Sequence, residues 1–145
     1  MNSPLQLERS RLVAITVKET GREETSKPDV VTATTTLLTR EDDPRAWRVQ
    51  LKVKFGGNEK EPTASVCGEV EIEGDFRVRN EYPEEAIPRL VGVNGASILF
   101  GSVRELIAGL SGRMESGVYL LPSVSFYEPK KKAAKSTTPR KNPSR

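Results

Sequence analysis

The apolar residues of this chain change period partway along. From Leu12 to about Arg79 they recur at every second position, and from Asn94 to Met114 at every third or fourth. Period two is the mark of a strand with one buried face, and a three-to-four step is the mark of an amphipathic helix. The switch therefore predicts an α+β fold in which a run of strands is followed by one long helix.

The cleanest alternation is "AWRVQLKVKFG", which puts Trp47, Val49, Leu51, Val53 and Phe55 on one side and Arg48, Gln50, Lys52 and Lys54 on the other. "TASVCGEVEIEGDFRVR" alternates in the same way, with Ala64, Val66, Val70 and Ile72 against Ser65, Cys67, Glu69, Glu71 and Glu73. Joined through the loop "GGNEKEP", the two become antiparallel neighbours whose outer faces oppose Arg48 and Lys52 to glutamates. Upstream, "RLVAITVKE" and "DVVTATTTLL" are β-branched runs that supply two more strands. The expectation is a four-stranded antiparallel sheet packed on one C-terminal helix, with a flexible N-terminus over 1–10 and a folded domain over 11–127.

The link "NEYPEEAIPRLVGVNG" carries Pro83 and Pro88, which predict a short helical turn and loop rather than an uninterrupted helix. Asn94 or Ser97 then caps the main helix. Leu99, Val103, Leu106, Leu110 and Met114, with Ile107, form the stripe that covers the sheet. The other side carries Gly101, Glu105, Ala108 and Gly112. Gly101, Gly109 and Gly112 inside "NGASILFGSVRELIAGLSGRM" weaken a helix by about 3 kcal/mol in total. One explanation is a close helix-to-helix contact between subunits; the other is an exposed face that tolerates glycine.

With 145 residues and 35% apolar content there is material for one core. No unbroken apolar run, that at Ile98 to Phe100 included, approaches the ~20 residues that span a bilayer, and "MNSPLQLERS" lacks the features of a secretory signal. A cytoplasmic location without membrane insertion is expected. The sequence has no histidine and one cysteine, Cys67, so imidazole chemistry and a cysteine–histidine zinc site are ruled out. No GxxxxGK[ST] phosphate loop occurs, and Ser111 in "GLSGR" departs from GxSxG at its last position. These absences point to a binding module rather than an enzyme, with no cofactor and no metal.

Of 23 Lys and Arg residues, seven lie in residues 128–145, leaving 16; of 20 Asp and Glu residues, one lies there, leaving 19. The basic character thus belongs to the tail, "EPKKKAAKSTTPRKNPSR", whose composition predicts disorder. Lys130, Lys131, Lys132, Lys135, Arg140 and Lys141 could release counterions on binding nucleic acid or another polyanion, or they could simply keep a tail solvated.

"VCGEVEIEGDFRV", followed by Ile98-Leu99-Phe100, Arg104-Glu105, Ser111-Gly112-Arg113 and "LPSVSF" from Leu121 to Phe126, resembles the SecB family of protein-export chaperones. The likeness runs from about Thr63 to Phe126. It implies an energy-independent holdase for unfolded or precursor proteins that hands them to the motor SecA, and a dimer of dimers joined through sheet edges and long helices. The interface would then include Gly101, Glu105, Ala108, Gly112, Cys67 and Val70. Clients would meet apolar grooves. The candidate residues are Tyr82, Ile87, Leu90 and Val93 in the link, with Trp47, Phe76, Phe126 and Tyr127, each of which could instead be core. The chain departs from the family in lacking a second helix after "LPSVSF" and in mixing Arg48, Lys52 and Lys54 among its acids, where export chaperones present an acidic face to SecA. A SecB-like chaperone dedicated to one partner, such as an antitoxin, is the alternative, and a tail-driven nucleic-acid or ribosome-associated module is a third.

Overall fold

The computed structural model describes residues 3–22 and 30–126. Strands β1 (Leu5–Glu19), β2 (Val31–Arg40), β3 (Asp43–Phe55) and β4 (Val66–Val78) form one antiparallel sheet in the order β1-β4-β3-β2. The alternation read from the sequence sets the two faces of the central pair, and the pairing fixes its register. Trp47, Leu51 and Val53 stand opposite Phe76, Ile72 and Val70, and Arg48 and Lys52 stand opposite Asp75 and Glu71. Val49, Leu51, Val53 and Phe55 of β3 and Val70, Ile72, Phe76 and Val78 of β4 are buried under a helix.

β1 begins at Leu5, so residues 5 to 10, expected as flexible N-terminus, belong to the sheet. Two register shifts, between Leu7 and Arg9 and between Leu12 and Ala14, interrupt its pairing with β4. Each bulge takes up one residue and reverses the alternation. The residues on the helix side are therefore Leu5 and Leu7, then Ser10 and Leu12, then Ile15 and Val17.

The link after β4 is helical rather than a loop. A 3-10 turn (Glu84–Ala86), α1 (Ile87–Leu90), a π-turn (Val91–Gly95) and α2 (Ala96–Ser111) follow without a break. Pro88 does not interrupt them because it sits in the first turn of α1, where a missing N–H costs nothing. Neither Asn94 nor Ser97 caps α2, since the helix does not start there; Ser97 Oγ donates instead to the Val93 carbonyl at 2.8 Å. The composite helix, Glu84–Ser111, is long and apolar enough to span a bilayer by length and composition. Here it is the core helix, with Leu99, Val103 and Ile107 fully buried in the cluster that also holds the sheet residues.

The buried stripe of α2 is Ala96, Leu99, Phe100, Val103, Ile107 and Ser111. Leu110, expected on it, is exposed, and Leu106 and Met114 are half-buried. Glycine permits the close packing. A Cβ at Gly95 would stand 3.1 Å from Val49 Cγ2, and one at Gly74 would stand 2.9 Å from Leu99 Cδ2.

Candidate functional site

The apolar residues expected to face a client divide into two groups. Phe76, Ile87 and Leu90 are 1%, 2% and 9% exposed and form part of the core. For Ile87 and Leu90 this corrects the expectation of an adaptable loop, because the helical link directs both into the cluster beneath it. Tyr82, Val93, Trp47 and Phe126 are half-buried. Trp47 Nε1 donates to the Pro44 carbonyl at 2.8 Å, and the Phe126 ring meets Phe100 edge-on at 5.7 Å. Tyr127 and the whole basic tail, Lys130, Lys131, Lys132, Lys135, Arg140 and Lys141 included, lie outside the described residues. Among the described residues, the exposed large apolar ones are different: Leu7, Leu12 and Val13 on β1, Ile98 and Leu110 on α2, Val30, and Val118 and Leu120 beyond the helix. The Val118/Leu120 pair was legible as alternation with Tyr119 and Leu121. The β1 residues were hidden by the bulges.

After α2, residues 117–126 run back along the helix as an extended strap outside the sheet ladders. Ser111, fully buried, closes the turn. Its Oγ donates to the Ile107 carbonyl at 2.7 Å and accepts from the Tyr119 N–H at 2.8 Å. Farther along, Arg104 Nε donates to the Leu121 carbonyl at 3.0 Å. The Tyr119 ring stacks on Phe55 with centroids 5.8 Å apart, and Leu121 is 1% exposed. Phe100, Arg104 and Ser111 lie on one flank of the helix. Leu99, on the opposite flank, and Leu7 of β1 meet over Gly74, and the turn that leads into the strap is tied to the end of β1, where the Ser116 N–H donates to Glu19 Oε2 at 2.7 Å.

The surface of α2 away from the sheet carries Gly101, Glu105, Ala108 and Gly112, as the spacing predicts. A Cβ at Gly101 or Gly109 would meet nothing within 4 Å, whereas one at Gly112 would stand 3.2 Å from both the Ala108 carbonyl oxygen and Val118 Cγ2. Two residues expected at a subunit interface do not offer surface. Val70 is fully buried under the helix, and Cys67, on the other face of the sheet, is 5% exposed, with burial pushing its thiol pKa up.

That other face is a lattice of opposite charges. Arg48 Nε lies 2.8 Å from Asp75, Arg11 2.9 Å from Glu73, Lys52 3.1 Å from Glu69 and 3.5 Å from Glu71, and Arg77 2.9 Å from Asp43. Central β4 supplies most of the acids, and β1 and β3 on either side supply cations. Two hollows, about 870 and 600 Å³, open on or beside that face; charged residues line both, and the larger also takes in Leu38, Ala46 and two of the residues expected to face clients, Trp47 and Phe76. Among the described residues no His, Cys, Asp or Glu side chains cluster as a metal site. The hydrogen bond from Arg48 holds the Asp75 carboxyl below its ordinary pKa, and the bond from Arg77 does the same for Asp43. At Glu73, burial works to raise the pKa, but Gln50, Arg11 and Arg48 together outweigh it, and the net shift is downward. A carboxylate depressed in the folded state takes up protons more readily when unfolded, so acidification favours unfolding. The urea midpoint should hold steady from neutral pH to about 5 and then fall as pH drops through about 4 toward 2. A midpoint flat down to pH 2.5 would mean that these pairs contribute nothing.

No protein-family model matches the chain, and no curated protein does. Among solved structures, a SecB-like chaperone from Mycobacterium tuberculosis, in complex with a ChAD peptide from the HigA1 antitoxin, superposes with a TM-score of 0.58 at 14% identity, covering 84% of this chain and 88% of that one. A protein of unknown function from Streptococcus agalactiae matches at a TM-score of 0.47 and 11% identity, covering 82% and 97%. The sheet order and the long helix are thus those of a SecB-like fold.

Proposed function

We propose that this chain is a chaperone that holds unfolded polypeptide without an energy source. The observation that carries the reading is the superposition of 84% of the chain on a SecB-like chaperone whose structure contains a bound peptide. It is supported by apolar side chains left in solvent along β1, on the helix and on the strap. Such surface supplies affinity of about 25 cal/mol per Å² buried, and that affinity is indifferent to client sequence. Holding of this kind requires no catalytic side chain.

Of the two client regimes, a dedicated polypeptide partner is favoured over delivery to SecA. Glu69, Glu71, Glu73 and Asp75 already face cations of their own sheet, so the outer face has little uncompensated negative charge to offer a basic partner. The chain assembles with itself as a dimer of dimers. β1 is a fifteen-residue edge with Leu7 and Leu12 exposed on its helix side, and the glycine face of α2 is open to a second helix.

The test is aggregation suppression with a panel of unrelated chemically denatured proteins, at equimolar chaperone and without nucleotide. Protection of several clients supports a general holdase, and protection of one among many candidates supports a dedicated one. Failure to protect any would remove the chaperone reading.

A further inference from the structure

We propose that the groove filled by residues 117–126 is the seat of an extended client segment, and that the strap is an intramolecular competitor which the client displaces. This rests on the chaperone reading above and adds to it where, and by exchange with what, the client binds.

The strap already has the form of a bound peptide. It is extended and lies outside the ladders of the sheet. The sequence "GVYLLPSVSF" carries no charge, which is what a stretch of unfolded core offers a holdase. Tyr119 and Leu121 point in, on Phe55 and into the core, while Val118 and Leu120 between and before them are 63% and 68% exposed. Val124 and Phe126 continue the inward contacts.

The polar groups of the groove read main chain rather than side chain. Ser111 Oγ accepts a backbone N–H, and Arg104 Nε donates to a backbone carbonyl. Any extended chain presents the same N–H and carbonyl, so these two groups serve a foreign segment as they serve Tyr119 and Leu121. Selection comes from the apolar seats. The segment that fits is uncharged and brings an aromatic residue with a large aliphatic residue two positions on, because vacating the Leu121 seat leaves core uncovered. A protein whose groove is open only part of the time binds more weakly by that fraction, so loosening the strap strengthens binding.

The experiment uses the full chain and two fluorescein-labelled peptides, one with the sequence of residues 117–126 and one with serine in place of its tyrosine and second leucine. Tyr119→Ala weakens the strap and leaves the groove intact. It should bind the first peptide at least about tenfold more tightly than the wild type does, the effect of 1.4 kcal/mol, and should not bind the serine peptide. Leu120→Ala, on the outward side, should match the wild type. Hydrogen exchange supplies the second measurement: saturation with a reduced, carboxymethylated protein that cannot refold should speed exchange of the Tyr119 amide, which is now held by Ser111. Saturable client binding with that amide unchanged, or equal peptide affinity in Tyr119→Ala and wild type, overturns the displacement and leaves the chaperone reading standing. Absence of client binding in every form overturns both.

Discussion

Alanine at Gly68 should detach β1 from β4 and lower stability by about 3 kcal/mol, the upper end of what overpacking costs. The added Cβ would meet the carbonyl oxygen of Thr16 in the neighbouring strand and stand 3.1 Å from Phe55 Cζ. A backbone oxygen has no rotamer to change, so the strand must move. Gly68 pairs with Val17, and the displacement falls on the stretch of β1 past its second bulge, where Ile15 and Val17 pack against the core. Gly74→Ala is the control. Its nearest atoms, Leu99 Cδ2 and Phe76 Cε1, each 2.9 Å away, belong to buried side chains that must shift, which should cost about 1 kcal/mol, the lower end of overpacking and less than moving a strand. Urea unfolding together with hydrogen exchange on β1 amides checks the difference. If Gly68→Ala stays within about 0.5 kcal/mol of the wild type, the spacing between these strands is not as tight as described.

Leucine at both Gly101 and Gly109 should halve the mass of the particle, from the proposed dimer of dimers to a dimer, and raise the stability of each chain. The two effects have different origins. Neither glycine has anything within 4 Å of where its Cβ would be, so the side chains cost nothing inside the chain, and each replacement adds about 0.8 kcal/mol of helix propensity. On the outer surface, the same side chains prevent the close approach of a second helix. Gly112 is unsuitable for this test, since bulk there would strike Val118 and disturb the strap. Light scattering reads the mass and thermal melting reads the chain. An unchanged mass would place the contact between dimers on some other surface.

The sheet was legible where alternation runs unbroken. The faces of β3 and β4 follow from period two, because a slip of one residue would move Val49, Leu51 and Val53 from core to solvent, while a slip of two would not; Lys52 meets a glutamate as expected, whereas Arg48 stands opposite Asp75. β1 was legible only from Leu12, since two bulges reverse its phase and make one strand look like fragments of three. The helix was placed, but its start was not, because a proline in a first turn has the same sequence signature as one that ends a helix. Its buried stripe was displaced toward Phe100 and Ser111 because the strap extends the covered surface on that flank. Of the candidate site, the small-residue face of α2 was readable from spacing. The burial of Ile87, Leu90, Val70 and Cys67 was not, since it depends on which elements meet in space.

The π-turn at Val91–Gly95 amounts to one residue inserted into an otherwise regular helix, and it turns everything after it by about 100°. A related chain shortened by a single residue at this point would keep its length of helix but present a different side of Ala96–Ser111 to the sheet. A one-residue gap between positions 91 and 95 in a related chain would therefore mark a rotated helix, with its glycines facing elsewhere.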